Sequence, residues 1–196
     1  YGLSECASVV SLNSAKNNIA GSVGKPLSHL DVHIEENEII VSGNSFLGYV
    51  DEPTSWGKAE VATGDFGFFD EKGYLYVNGR KKNLLISSYG RNISPEWVEG
   101  VLLSDGLLKQ CVVFGDQRPH CIALISLRNN AMPEEIIKDS IIKANRSLPD
   151  YAQVKRWAVL PQPMSFSAGT MTSNGRPVRE AILKQYQSTI HQLYSE

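Results

Sequence analysis

The sequence predicts an α+β protein. A small antiparallel β-barrel-like subdomain is followed by a compact α+β domain with a three-stranded sheet and helices. Short alternating or β-branched runs broken by Gly and Asn fill residues 23–77, a pattern typical of antiparallel strands. Two apolar runs, at 111–114 and 121–127, are typical of buried strands. Several later segments begin at a proline, which favours the first turn of a helix.

The first part is expected to contain four short antiparallel strands. Residues 70–73, Asp-Glu-Lys-Gly, form a turn between the last two. The strands are predicted at 31–34, 38–41, 66–69 and 74–77.

The second part begins with a short strand at 84–86 and a helix that follows it. Ser94 provides a hydroxyl cap, Pro95 needs no N–H partner in the first turn, and Glu96 faces the positive end of the helix. Asp105-Gly106 is expected to end this helix before the two buried strands.

Two further helices are predicted, one from Pro133 to about Asn145 and one from Pro177 onwards. Between them lie a strand at 157–160 and a loop at 161–170 that is rich in helix breakers and long enough to favour a functional role. The predicted buried faces are Ile136, Ile137, Ile141 and Ala144 in the earlier helix, and Val178, Ile182, Leu183, Tyr186 and Ile190 in the later one.

Composition names no macromolecular partner. The formal net charge of the 196 residues is -2, which gives no electrostatic case for nucleic acid, and no apolar run is long enough to predict a membrane span. The three cysteines cannot all pair, and Cys111 and Cys121 lie in apolar runs where a thiol packs as a small hydrophobe. With Cys6, they are expected to be reduced, which favours a cytoplasmic location.

Three short motifs carry groups suited to a nucleotide. Tyr1-Gly2-Leu3-Ser4-Glu5 combines an aromatic face for a purine, a hydroxyl for a phosphate oxygen and a carboxylate for Mg²⁺. Thr63-Gly64-Asp65 sets a carboxylate after a tight turn, and 80–82 is a run of Arg-Lys-Lys. Each also has a plain structural interpretation: a frayed terminal loop, an aspartate capping its own turn, and a solvated basic linker.

In this order and at these distances, the motifs resemble the second half of the adenylate-forming superfamily of acyl-CoA synthetases, luciferases and peptide-synthetase adenylation domains. The stretch 79–96, Gly-Arg-Lys-Lys-Asn-Leu-Leu-Ile followed by Gly-Arg-Asn-Ile-Ser-Pro, looks more like medium- or long-chain acyl-CoA ligases than amino-acid adenylation domains. By this resemblance, residues 1–80 are the end of the large N-terminal region and 81–196 are the small mobile domain.

The resemblance implies roles for residues of the first part. Tyr1 contacts adenine, Ser4 the α-phosphate and Glu5 the magnesium ion. Asp65 binds the ribose hydroxyls, and Arg80 makes a second contact with the sugar or phosphate.

It also implies roles in the second part. Lys82 is the hinge about which the C-terminal domain turns, and Gly90 gives the pantetheine arm room to pass. A lysine after the glycine contacts the substrate carboxylate in the family, and here that position is Arg176. Since arginine is larger and planar, the exchange predicts either slower adenylation or a working variant. Arg179, one turn into a helix, is expected to pair with an acid.

The activity implied is that of an AMP-forming acid–thiol ligase. The parent protein would join a fatty or other carboxylic acid to ATP, with Mg²⁺, and pass the acyl group to CoA. A phosphate loop upstream of Tyr1 is expected in a missing N-terminal region, so the fragment alone is expected to be inactive, and its uncovered apolar surface invites dimerisation. Two alternatives stay open: a domain that loads a carrier protein, and a catalytically weakened nucleotide- or acyl-binding scaffold.

Overall fold

The computed structural model describes residues 1–195 and divides them into two compact units, the first Tyr1–Asn83 and the second beginning at Leu84. Both units mix strands with helical segments, which confirms the predicted α+β class. Within the described residues, no helix is both long enough and apolar enough to span a bilayer.

The first unit is built on a four-stranded antiparallel sheet. Its order is β3-β4-β5-β6, and a two-stranded ribbon, β1-β2, accompanies it. Single 3₁₀ turns occupy Ser4–Cys6, Pro53–Ser55 and Lys81–Asn83. The strands are β1 (Ser11–Leu12), β2 (Lys25–Pro26), β3 (Asp31–Glu35), β4 (Glu38–Ser42), β5 (Glu60–Phe69) and β6 (Leu75–Arg80).

All four predicted strands of this unit form, but β5 is longer than expected. It begins at Glu60, so Thr63-Gly64-Asp65 lies inside a strand, and the predicted tight turn there is wrong. The register between β4 and β5 shifts between Glu38 and Ile40, which is the irregularity that Gly64 accommodates with a φ of 72°. The core of the unit is formed by Cys6, Val10, Leu30, Ile39, Val41, Val61 and Leu75.

The second unit is a three-stranded sheet with helices on both faces. The strand order is β11-β10-β9, with β10 antiparallel to β9 and parallel to β11. A two-stranded ribbon, β7-β8, precedes it. The elements are β7 (Leu85–Ile86), β8 (Asn92–Ile93), α1 (Pro95–Leu103), β9 (Leu108–Phe114), β10 (Cys121–Leu127), α2 (Glu134–Asn145), β11 (Val154–Val159), α3 (Arg179–Gln185) and α4 (Gln187–Ser195).

Strand β10 is buried along its whole length because both of its faces are covered. Alternate residues pack into two different cores: Ala123 and Ile125 belong to the cluster that contains α1 and α2, whereas Ile122 and Leu124 pack with Ile182 and other residues of α3 and α4. The continuous apolar run seen in the sequence is therefore the signature of a two-sided strand.

Two helix predictions need correction. On α2 the buried residues are Ile137, Ser140 and Ile141, whereas Ile136 is 47% exposed. The last helix begins at Arg179 and not at Pro177, and it breaks at Tyr186 into α3 and α4.

Of the predicted stripe on the last helix, Ile182 and Ile190 are buried but Leu183 is 45% exposed. Leu183 precedes the break at Tyr186, and as the next residue after Ile182 it is rotated by about 100° around α3, away from the face that buries Ile182. The three cysteines are free thiols, and all three are buried.

Candidate functional site

Asp65 lies at the centre of a polar cluster in the first unit. It is 6% exposed, and it faces Arg80 directly across the β5–β6 pair. Arg80 Nε donates to Asp65 Oδ1 at 2.5 Å, and the Tyr1 hydroxyl donates to Asp65 Oδ2 at 2.7 Å. The structure therefore brings Asp65 and Arg80 together and adds Tyr1 to the pair, while their expected contacts with a nucleotide stay predictions.

The bulge in β5 sets the direction of Asp65. The Gly64 N–H donates to Glu38 Oε1 at 2.8 Å, and the Thr63 hydroxyl donates to the Ile39 carbonyl at 2.8 Å while accepting from the Asp65 N–H at 3.1 Å. These bonds satisfy the backbone groups that the irregular register releases from the ladder. The carboxylate therefore projects from a rigid strand instead of a loop.

Electrostatics couple the members of this cluster. Burial raises the pKa of the Tyr1 hydroxyl, with a further upward contribution from Asp65, so the phenol stays protonated and remains a donor. The hydrogen bond to Asp65 raises the pKa of Arg80. Asp65 therefore accepts from two donors, one neutral and one cationic.

Tyr49 is a site residue that sequence reasoning missed. Its hydroxyl donates to Glu5 Oε1 at 2.5 Å, and this hydrogen bond is the main reason why the pKa of Glu5 is lowered. The Tyr49 backbone is fixed on both sides, since its N–H donates to the Ser55 hydroxyl at 2.8 Å and its carbonyl accepts from Trp56 Nε1 at 2.7 Å. The two partners are 44 positions apart, so no local motif links them.

A cavity of about 430 Å³ opens beside these residues. Three cationic side chains and one carboxylate line it, a set suited to a phosphate-bearing ligand accompanied by a divalent cation. Lys81 also pairs with Glu38 at 2.8 Å, which raises the pKa of Lys81 and lowers that of Glu38. The lining residues are Glu5, Tyr49, Thr63, Gly64, Arg80, Lys81 and Lys82.

The other predicted residues of the first unit lie close by without lining the cavity. Tyr1 and Asp65 are joined to it through Arg80, whereas Ser4 is exposed in the same 3₁₀ turn as Glu5. Among residues 1–195, no group of three or more His, Cys, Asp or Glu side chains comes together in a way that could hold a metal ion. Glu5 would therefore need phosphate oxygens and water to complete a magnesium shell.

Gly90 and Arg176 belong to the second unit. Gly90 lies in the turn between β7 and β8, with a φ of 71° and its N–H donating to the Ser87 carbonyl at 2.9 Å. Arg176 is exposed in the loop before α3, where its N–H donates to the Thr172 hydroxyl at 3.0 Å and its carbonyl accepts from the Thr172 N–H at 2.8 Å.

Arg179 pairs with an acid, as predicted. Its Nη2 donates to both oxygens of Glu99, at 2.7 and 2.9 Å, and Nη1 donates to the Val113 carbonyl at 3.0 Å. Burial raises the pKa of Glu99 to about 7, although Arg179 and the Val113 N–H act in the opposite direction. The partner Glu99 could not be read from the sequence because it lies 80 positions away.

Comparison with curated proteins finds CoA ligases. The chain is 27% identical over 225 residues to long-chain-fatty-acid–CoA ligase FadD15 of Mycobacterium tuberculosis, an alignment that covers 100% of the chain and 38% of that ligase. It is 36% identical over 132 residues to 2-succinylbenzoate–CoA ligase of a Geobacillus species, covering 59% of the chain and 27% of that ligase. The chain thus spans about two fifths or less of the length of these relatives.

Solved structures show the same likeness. The o-succinylbenzoate CoA synthetase of Bacillus subtilis in complex with its acyl-adenylate intermediate matches with a TM-score of 0.76 and 26% identity, over 93% of this chain and 40% of the synthetase. The anthranilate CoA ligase AuaEII in complex with anthranoyl-AMP matches with a TM-score of 0.79 over 94% of this chain and 38% of that ligase, and at 21% identity it supports the fold alone. The family model for the AMP-binding enzyme C-terminal domain matches residues 82–196. The chain therefore belongs to the AMP-binding enzyme C-terminal domain family, within the adenylate-forming ligases.

Proposed function

We propose that the chain is the C-terminal part of an AMP-forming acid–thiol ligase. The intact enzyme joins a carboxylic acid to ATP, releasing pyrophosphate and forming an acyl adenylate, and then transfers the acyl group to the thiol of CoA with release of AMP. The observation that carries the proposal is the cluster around Asp65, a buried carboxylate held between Tyr1 and Arg80 beside a cationic cavity.

The donor and acceptor inventory of the cluster suits a nucleoside. Each Asp65 oxygen accepts one hydrogen bond from the protein, which leaves a lone pair on each for a ribose hydroxyl. Arg80 then contacts the sugar or phosphate, and Tyr1 lies against the adenine. Ser4 contacts the α-phosphate.

Glu5 is the candidate ligand for Mg²⁺, whose role when bound is to neutralise phosphate charge. The lowered pKa of Glu5 keeps this carboxylate ionised at neutral pH, which suits a cation ligand. Arg80, Lys81 and Lys82 supply the positive charge that a polyphosphate requires on the same wall of the cavity.

The second unit contributes the mobile parts of the reaction. Residues 1–80 form a barrel-like end of the large N-terminal region, and 81–196 form the domain that turns about Lys82. Gly90 makes room for the pantetheine arm during thioester formation. Arg176 offers its guanidinium to the carboxylate and α-phosphate during adenylation.

The acid is proposed to be an acyl acid of the kind that the relatives activate. FadD15 is named for long-chain fatty acids and the Geobacillus and Bacillus relatives for succinylbenzoate, so the class extends from aliphatic to aryl acids. Because the chain spans 38% of the length of FadD15, the phosphate loop and most of the acyl pocket are proposed to lie in the rest of the intact enzyme. The three free cysteines agree with a reducing, cytoplasmic location.

Carboxylate-dependent exchange of pyrophosphate into ATP by the intact protein tests the proposal. Asp65→Asn keeps the shape of the side chain but removes its charge, and we expect exchange to fall by about a hundredfold, the equivalent of roughly 2.7 kcal/mol. Asp31→Asn is the matched control, since Asp31 is an exposed aspartate on β3 of the same sheet. Equal exchange by wild type and Asp65→Asn would refute the role of the cluster.

A second candidate, a weakened nucleotide-binding scaffold, is favoured by one observation, the arginine at 176 where the family has lysine. If wild type has no exchange activity and Arg176→Lys gains it, the scaffold is supported. If Arg176→Ala abolishes an existing activity, the scaffold is excluded. The other alternative is a domain that loads a carrier protein instead of CoA. Assaying the intact enzyme with CoA and with a phosphopantetheinylated carrier protein distinguishes the two acceptors.

A further inference from the structure

We propose that Glu99 and Arg179 are positioning residues that fix the loop carrying Arg176. The inference rests on the proposed function, because it assigns Arg176 the role of contacting the substrate carboxylate. It goes beyond that function by naming the contacts that orient this arginine.

The loop has a short tip, residues 172–176, closed by hydrogen bonds. Thr172 N–H donates to the Arg176 carbonyl, Gly175 N–H donates to the Thr172 carbonyl at 3.0 Å, and Arg176 N–H donates to the Thr172 hydroxyl. Below the tip, Val178 N–H donates to the carbonyl of Thr170 at 3.0 Å, and Thr170 is 1% exposed. The tip is thus an exposed turn that continues into a base, the hydrogen-bonded pair Thr170 and Val178, in which Thr170 is buried.

Arg179 anchors the C-terminal side of that base. It follows Arg176 by three residues, and its guanidinium contacts two elements at once: Glu99 on α1 and the Val113 carbonyl on β9. Glu99 Oε1 also accepts from the Val113 N–H at 2.7 Å, so Val113 is bonded by both members of the pair. The three residues form a closed hydrogen-bonded network.

The N-terminal side of the base is anchored separately. The amide side chain of Gln110 donates to the Met164 carbonyl at 2.8 Å and accepts from the Met164 N–H at 2.9 Å. Ser165 then accepts at its carbonyl from the N–H groups of Thr170 and Met171, at 3.1 Å each. Both anchors are on β9, since Gln110 and Val113 belong to that strand. Both sides of the loop are therefore held by the same strand.

A buried ion pair fixes the orientation of its side chains but contributes little to the stability of the fold. Glu99 is 7% exposed and the side chain of Arg179 is 18% exposed, so above the Glu99 pKa of about 7 both groups are charged and lose most of their hydration. Two apolar side chains of similar volume would hold the fold as well or better. They would lack the directional bonds of the guanidinium, which joins Glu99 through Nη2 and the Val113 carbonyl through Nη1. This difference separates a positioning role from a structural one.

The test is a double variant, Glu99→Met with Arg179→Met, in the intact protein. We expect its melting temperature to match or exceed that of wild type, because the apolar pair avoids burying two charges. We expect kcat for carboxylate-dependent pyrophosphate exchange to fall by about tenfold or more, while the KM for ATP changes less than about twofold. The reason is that Arg176 is proposed to stabilise the transition state, so its displacement affects the chemical step more than the binding of ATP. Arg146→Lys, an exposed arginine at the end of α2, is the control for generic arginine effects.

Amide hydrogen exchange provides a readout that needs no activity. The N–H groups of Thr172 and Arg176 should exchange about tenfold faster in the double variant, whereas those of β10 keep their protection. If the double variant is folded and these two amides and kcat stay at wild-type values, the inference is overturned. If wild type shows no pyrophosphate exchange, the proposed function fails, but the amides still decide whether Glu99 and Arg179 position the tip.

A variant with a smaller change covers the case in which the double variant does not fold. Arg179→Lys keeps the charge but replaces the two guanidinium nitrogens that bond Glu99 and Val113 with a single ammonium. Faster exchange at Thr172 and Arg176 in this variant supports the inference, and unchanged exchange overturns it.

Discussion

Asp65 and Arg80 are direct cross-strand partners on β5 and β6, and their side chains meet at 2.5 Å. The pair is rigid because both residues project from strands, and a bulge at Gly64 rather than a flexible turn aims the carboxylate. Each Asp65 oxygen accepts one hydrogen bond from the protein, so a ligand hydroxyl can add a second without displacing Tyr1 or Arg80.

Replacing Arg80 by alanine should weaken nucleotide binding more than it weakens the fold. The side chain of Arg80 is 36% exposed, so its pair with Asp65 should contribute about 1 kcal/mol or less to the free energy of unfolding. Losing a charge-assisted contact to the nucleotide should lower AMP affinity about tenfold. Titration calorimetry with AMP measures the loss, and Arg146→Ala is the control. Unchanged affinity in Arg80→Ala would place the nucleotide elsewhere.

Replacing Tyr49 by phenylalanine removes only the hydroxyl that donates to Glu5. The carboxylate then loses its main pKa-lowering contact and one fixed orientation, so we expect the apparent KM for Mg²⁺ in pyrophosphate exchange to rise about fivefold. Because Tyr49 is 47% exposed, the free energy of unfolding should change by only about 0.5 kcal/mol.

Tyr76→Phe is the matched control for this substitution, since Tyr76 stacks on Phe68 at a ring distance of 4.9 Å and lines no part of the cavity. A Mg²⁺ dependence that shifts equally in both variants would contradict a specific role for Tyr49.

Glu99 should make the second unit less stable as pH rises towards neutrality. Its pKa is raised from the ordinary 4.5 to about 7, chiefly by burial, so between these values the folded state holds a proton that the unfolded state has lost. Unfolding then releases protons, and the free energy of unfolding falls with increasing pH in this window and levels off above it.

Urea titrations from pH 4.5 to 8, followed by the fluorescence of Trp97 and Trp157, can measure this effect. Glu99→Gln removes the titration, so the free energy of unfolding of wild type minus that of Glu99→Gln should fall with rising pH up to about 7 and then stay constant. Parallel pH profiles for the two proteins would show that Glu99 is ionised throughout.

The sequence predicts those elements whose cause is local. Strand β10 has the predicted bounds, Cys121–Leu127. A strand that is buried on both faces favours an apolar residue at nearly every position, and such an uninterrupted run is visible in the sequence. Ser94 caps α1 as expected, accepting from the Trp97 N–H at 3.3 Å. Both features can be predicted because the residues that determine them lie within or next to the element itself.

Features that depend on a distant partner could not be predicted. Thr63-Gly64-Asp65 has the composition of a turn, and only the contact between Gly64 and Glu38 of the neighbouring strand makes it a bulge. Tyr49 with Glu5, and Glu99 with Arg179, are pairs whose members lie 44 and 80 positions apart. The ligand-binding and catalytic roles assigned to residues of both units stay predictions, since they concern steps with ligands bound. These residues are Tyr1, Ser4, Glu5, Asp65, Arg80, Lys82, Gly90 and Arg176.

Replacing Gly90 by alanine should impair thioester formation more than adenylation. Gly90 has a φ of 71°, and no heavy atom lies within 4 Å of where a β-carbon would be, so the only intrinsic cost is left-handed backbone strain of about 1–2 kcal/mol. Gly106 is a matched control, because it has a φ of 75° and equally open surroundings in the turn after α1. Both variants therefore carry the same backbone strain, and only Gly90→Ala adds a methyl group to the turn proposed to line the pantetheine path.

We expect the ratio of CoA-dependent thioester formation to pyrophosphate exchange to fall about tenfold in Gly90→Ala, because a small steric displacement of the thiol can have an effect of this size. In Gly106→Ala that ratio should stay at the wild-type value; a fall of equal size in both variants would trace the effect to strain and not to the passage of the thiol arm.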